Sequence, residues 1–141
     1  RGRGMRFGVY YSGGRDWTFE PHPVVGVSDG VAAVPVDPAY ERDVTIVANA
    51  VDLVVTLPPA GRGTKGNRVT LVVEDISAST GASLSPAPAD MIRGTGVTGV
   101  DNKDLINTAA TDALGDAATL VCDGDTGWWI ENLIGTWALE A

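Results

Sequence analysis

Residues 117–137 read AATLVCDGDTGWWIENLIGTW, and this stretch decides the fold class. Two apolar runs, Ala118–Cys122 and Trp128–Ile130, flank the turn residues Asp123, Gly124, Asp125 and Gly127. β-rich runs on either side of an Asp-Gly turn are a hairpin signature. A third run, Leu133–Leu139, predicts a further strand. Successive residues of a strand face opposite sides of the sheet. Of the adjacent pair Trp128 and Trp129, one ring therefore fills the core and the other points outward, toward a subunit interface or a sugar.

The rest of the chain agrees with an all-β reading. Gly (18) and Pro (8) are 26 of 141 residues, about 18% against a background near 12%. Val44–Ala48, Leu53–Leu57 and Arg68–Glu74 are β-branched-rich runs. Asn49–Asp52 separates the first two as a turn, and Pro58-Pro59 stops the second, because proline cannot donate to a ladder. Val31–Val36 carries Pro35, which predicts an edge strand or extended coil. Asp104–Leu114 is the one candidate helix, with Asp104 placed to cap it. The spacing of strands and turns predicts a small antiparallel β-sandwich or jelly-roll-like barrel.

The chain divides by composition. Residues 1–43 read as an extended N-terminal arm with one or two strands, and residues 44–141 as a sandwich body. Residues 1–15 hold Arg1, Arg3, Arg6 and Arg15 and no acid, whereas the whole chain carries a net charge of −8. Phe7, Tyr10, Tyr11 and Trp17 lie in the same segment. Aromatics interleaved with Arg are enriched at protein interfaces. Arg1, Arg3, Arg6, Phe7, Tyr10, Tyr11 and Trp17 are thus candidate contacts to a neighbouring protein, and Trp128 and Trp129 candidate subunit-interface residues.

Charge and motifs argue against other classes. An acidic body does not suit nucleic acid, which needs a positive face. No apolar run reaches the roughly 18 residues of a membrane span, and no signal-peptide pattern is present, so a soluble chain made in the cytoplasm is expected. One cysteine, Cys122, leaves no internal disulfide and reads as a small buried hydrophobe. Gly61–Gly66 and Gly94–Gly99 both match GxGxxG. A dinucleotide loop needs a strand before it and a helix after it, and neither match has the helix. Asp123–Gly127 opens like a calcium loop, but the twelfth position is Ile134 where a glutamate ligand is needed. Asp101, Asp104, Asp112 and Asp116 show no spacing that fixes a facing pair of carboxylates. The single His22, between two prolines, has no legible nucleophile to serve. No enzyme activity, metal, cofactor or small-molecule substrate is expected.

Three stretches resemble a known group. Leu57-Pro58-Pro59-Ala60, a Gly/Lys loop and Val69–Val73 resemble the opening of small β-modules in tailed-bacteriophage virion proteins. Met91-Ile92-Arg93-Gly94 stands where such modules carry an "I.G" turn. Gly115–Val121, Asp123-Gly124 and Gly127–Ile130 resemble their ending. The likeness spans roughly residues 44–137. It implies a module that trimerises, without catalytic residues, in a head decoration (cement) protein, head fibre or tail fibre. The absence of repeats or a coiled coil in these 141 residues favours the cement role over a fibre. The implied partners are the major capsid protein and two further copies of the chain, and the implied location is the outer surface of the head. The alternatives are a receptor- or glycan-binding fibre tip, using the outward Trp with loops 61–67 and 94–103, and a small cell-wall hydrolase.

Overall fold

The computed structural model describes residues 24–27, 31–33, 42–50, 52–74 and 81–141. These residues form strands with almost no helix. In chain order they are β1 (Val24–Val27), β2 (Val31–Ala33), β3 (Asp43–Ala48), β4 (Val54–Thr56), β5 (Arg68–Val73), β6 (Ser83–Ser85), β7 (Met91–Arg93), β8 (Leu105–Asn107), β9 (Ala117–Cys122), β10 (Gly127–Ile134) and β11 (Trp137–Leu139). One short 3₁₀ turn, Arg62–Thr64, interrupts the loop before β5.

The strands make two sheets. The first has the order β1-β3-β5-β9-β10-β7 and the second β11-β8-β6-β4-β2. Odd and even strands separate over the first six elements, so the chain crosses from one sheet to the other and back. Each return lays a new strand parallel to the previous one in the same sheet: β3 on β1, β5 on β3, β4 on β2 and β6 on β4. Equivalent positions fall on Val24, Thr45 and Thr70 in one sheet and on Val31, Val54 and Ser83 in the other. The first half is thus a solenoid-like winding of three turns. The second half closes it with antiparallel pairs: β9 on β5, β10 on β9, β8 on β6 and β11 on β8. β7 alone joins β10 in parallel.

This corrects the expected antiparallel sandwich, because both sheets are mixed. A parallel pair needs a crossover of a dozen or more residues. Here the opposite sheet supplies the crossover, a non-local arrangement that strand periodicity does not encode.

Each strand's alternation explains its place. Val44, Ile46 and Ala48 of β3 and Val69, Leu71 and Val73 of β5 are buried, and the residues between them are not. They meet Leu53, Val55, Leu84 and Leu105 on or beside the second sheet in one shared core that also holds Trp128 and Trp137. Trp128 is 1% exposed. β2, the strand beside Pro35, lies at the edge of its sheet, where a missing N–H is tolerated.

Two expectations change. Asp104–Leu114 is not a helix: Leu105 and Asn107 are buried with Ile106 between them, the period of a strand, and turns follow. The run Leu133–Leu139 is not one strand. Leu133 and Ile134 finish β10, and Gly135, at φ +92, turns the chain so that Trp137 starts β11 in the other sheet. A Cβ on Gly135 would strike the Asp116 carboxylate.

Candidate functional site

The β9–β10 hairpin is built on its turn. The Asp123 carboxylate accepts hydrogen bonds from the backbone N–H groups of Asp125 (2.7 Å), Thr126 (2.8 Å) and Gly127 (3.1 Å) and from the Thr126 hydroxyl (2.6 Å). Burial on its own would raise the pKa of Asp123. The Thr126 hydroxyl and the three N–H donors outweigh it and hold the carboxyl at about 2. Both oxygens of this side chain accept hydrogen bonds within the turn, so Asp123–Gly127 forms the hairpin corner. Gly127, at φ +144, lets β7 approach: a Cβ there would collide with the backbone of Met91.

Beyond the turn the two tryptophans part as the alternation requires. Trp128 goes to the core, so its expected place at a subunit interface is corrected. Trp129 stays on the outer face of the six-stranded sheet, 43% exposed. Its ring carries Arg93, whose guanidinium carbon lies 4.3 Å from the ring centroid. The same guanidinium donates to the Thr126 hydroxyl at 3.0 Å and approaches Asp123 at 3.6 Å. An Arg over an indole face is attracted by the ring quadrupole. The hairpin corner therefore fixes the Arg, and the Arg fixes the Trp.

Strand register extends this pair into a row. Trp129 pairs with Arg93 on β7 and with Val121 on β9; Val121 pairs with Arg68 on β5, and Arg68 with Asp43 on β3. A bulge at Glu131 swings its carboxylate back over the sheet. There it accepts two hydrogen bonds from Arg68, at 2.6 and 2.8 Å. These bonds lower the Glu131 pKa and raise that of Arg68. Asp43 lies 3.8 Å from Arg68. The next row down the face is Thr45, Thr70, Thr119 and Asn132, with the Thr70 and Thr119 hydroxyls 3.0 Å apart. Sequence reasoning placed the outward Trp but missed Arg68, Arg93, Asp43 and Glu131. Only the register between strands distant in the chain puts them beside it.

The other candidates fall elsewhere. Arg1, Arg3, Arg6, Phe7, Tyr10, Tyr11, Trp17 and His22 lie outside the described residues. Gly61–Gly66 leads straight into β5 and Gly94–Gly99 into irregular chain, so neither meets a helix N-terminus. Asp116 is buried, accepting from Asn107 Nδ2 at 3.1 Å and Ala113 N–H at 3.0 Å. Asp104 sits at the start of β8; burial foremost, then the neighbouring Glu140, raise its pKa against a hydrogen bond from Ser85. No group of three or more His, Cys, Asp and Glu among the described residues is disposed to hold a metal. Cys122 is buried, its sulfur 3.5 Å from the Thr64 hydroxyl. An open groove of about 370 Å³ between β8 and the C-terminal residues is lined by Ile106, Ala109, Leu139 and neighbours, with Glu140 its single acidic group. No protein-family model and no curated protein matches the chain.

Proposed function

We propose that this chain is a structural virion protein of a tailed bacteriophage, a trimeric cement protein that binds the outside of the head and holds neighbouring capsomers together. The observation that carries the reading is the Trp129–Arg93 pair, a half-exposed aromatic held rigidly on a sheet face by a charged partner. Such residues are the common anchors of protein contacts. The virion-module resemblance at Leu57–Ala60, Met91–Gly94 and Gly115–Ile130 supplies the setting. The basic, aromatic segment with Arg1, Arg3, Arg6, Phe7, Tyr10, Tyr11 and Trp17 supplies the shell contact, and its charge complements an acidic capsid surface.

The mechanism is linkage. A ligand that binds the assembled lattice and not separated subunits stabilises the lattice by its binding free energy. Three copies in one trimer make the attachment multivalent, so modest contacts combine into high avidity.

The test is heat disruption of expanded heads of the encoding phage, prepared without this chain. Adding the chain raises the temperature at which those heads fall apart. An unchanged disruption temperature at saturating protein refutes the cement role. Binding to host cells in the absence of heads would favour the fibre-tip reading, in which Trp129 is a receptor platform.

A further inference from the structure

We infer that the groove along β8 and β11 is the docking surface for the chain's own N-terminal segment, with Arg3 to Phe7 laid beside β11 and antiparallel to it. This is the segment assigned above to the shell. Its exchange between body and shell rests on the cement reading; its seat on the body does not.

The surface is an unfilled place in the sheet. β11 ends the five-stranded sheet, and no strand lies on its other side among the described residues. The Thr108 N–H donates to the Thr136 carbonyl and the Glu140 N–H to the Asp104 carbonyl, both at 2.9 Å. Bonded and non-bonded pairs alternate along an antiparallel ladder. Ala138 therefore also bonds toward β8, and Trp137 and Leu139 turn their N–H and C=O groups to the open side. Such an edge is a template for an extended segment. Beside it lies the open groove of about 370 Å³, lined by Ile106, Ala109, Ala138 and Leu139 with Glu140 as its acidic group. Ile106 and Ala138 are register partners on the outer face, because Leu105, Asn107 and Trp137 are turned to the core. Ala109 lies past the Thr108–Thr136 pair and Glu140 past Leu139, so the groove has an apolar end and an acidic end.

Charge and pattern select the occupant. From residue 94 onward the chain has one base, Lys103, and its ammonium donates to the Ala141 carbonyl at 2.9 Å. Asp101, Asp104 and Asp112 flank β8, and Glu140 follows β11. Residues 1–15 carry four arginines and no acid. Complementary charge of this kind steers and orients a contact. In an extended segment Arg3, Met5, Phe7, Val9 and Tyr11 share one face, and Gly2, Gly4 and Gly8 fall on the other. A cation followed by apolar side chains is the order of the groove from Glu140 to Ala109. Arg3 to Phe7 and Glu140 to Thr136 each span about 13 Å of extended chain. The same copy reaches the site. β2, next in the chain after β1, and β11 are the two ends of one sheet, four spacings or about 19 Å apart. The chain from Phe7 to Val24 extends to about 56 Å. A tethered segment acts at a millimolar effective concentration, which favours the same copy over a neighbour.

The experiment uses the full chain with one cysteine in the segment and one in the groove. Phe7→Cys with Ala109→Cys is expected to close a disulfide within one chain on mild oxidation, read by peptide mass spectrometry and non-reducing gel mobility; Cys122 is buried and stays in place. Phe7→Cys with Thr56→Cys, at an exposed position on β4, is expected to close at least tenfold more slowly. Adding Glu140→Lys to the first pair is expected to slow closure at least fivefold. Circular dichroism reports folding, and Ala110→Cys, at an exposed position, replaces Ala109→Cys if the latter unfolds the chain. No link to the groove, equal links to positions 109 and 56, or closure indifferent to Glu140→Lys overturns the inference. Links between chains overturn the same-copy assignment. The exchange is read on heads: the oxidised Phe7→Cys, Ala109→Cys chain is expected to pellet with them at least tenfold less than the same chain reduced. Equal pelleting in the two states overturns the exchange. Pelleting in neither state counts against the cement reading, and the cross-link still decides the seat.

Discussion

Replacing the adjacent tryptophans one at a time tests the strand alternation on which the fold rests. Trp128 is 1% exposed in the shared core. Trp128→Ala removes the largest of the fully buried side chains and leaves a cavity, which costs about 3–5 kcal/mol. For a domain near this size that lowers Tm by roughly 6–20 °C. Trp129→Ala gives up a half-exposed ring and one cation–π contact, together worth about 1 kcal/mol or less. A third variant sharpens the test. The Trp128 indole N–H is buried without a hydrogen-bond partner among the described residues. An unmade bond of this kind costs about 1–3 kcal/mol. Trp128→Phe keeps most of the ring and removes the orphaned donor, so its net loss is expected to stay below about 2 kcal/mol. Urea unfolding followed by circular dichroism, at one fixed protein concentration, gives all three values. Equal losses for Trp128→Ala and Trp129→Ala, or a Trp128→Phe loss as large as that of Trp128→Ala, refute the reasoning.

Other positions give independent checks. Asp123→Ala removes four hydrogen bonds from the hairpin turn and is expected to cost about 1–3 kcal/mol in urea unfolding. Because Asp123 titrates at about 2 when folded, below the ordinary aspartate value of 3.8, its contribution is complete above the unfolded pKa and is lost as pH falls through the folded one. Acid titration of wild type against Asp123→Asn should therefore show the two stabilities converging between about pH 4 and pH 2. Gly127→Ala forces a Cβ into the Met91 backbone at φ +144 and is expected to cost more than about 2 kcal/mol, read as a lower Tm or loss of soluble protein. Glu131→Gln breaks an exposed pair with Arg68 and is expected to cost no more than about 1 kcal/mol, shrinking further at 1 M salt. Replacing Arg1, Arg3 and Arg6 together by Ala is expected to leave the circular dichroism spectrum unchanged and to abolish pelleting with heads.

How much of this was readable in advance depended on distance along the chain. The hairpin was legible because its information is local: Asp123 caps the turn next to it, Gly124 and Gly127 allow the positive φ, and period-two alternation sends Trp128 and Trp129 to opposite faces. The edge position of β2 was legible from Pro35. The parallel winding was not, since nothing in Val44–Ala48 or Arg68–Val73 states which neighbour each strand takes. The helix expected at Asp104–Leu114 failed for a related reason. Leu105–Asn107 is a strand because it pairs with β6 and β11, partners far away in sequence. The continuous strand expected over Leu133–Leu139 failed because Gly135 is a turn between sheets. At the candidate surface the tryptophan was foreseen, whereas Arg93 and Arg68 became part of it only through register.

The most direct measurement of the adhesion claim is pelleting. Expanded heads lacking this chain are mixed with increasing amounts of it and spun down, and bound protein is quantified. The account predicts that the chain comes down with the heads, saturates at a fixed ratio and remains soluble when heads are omitted. A chain that stays in the supernatant at every concentration contradicts it.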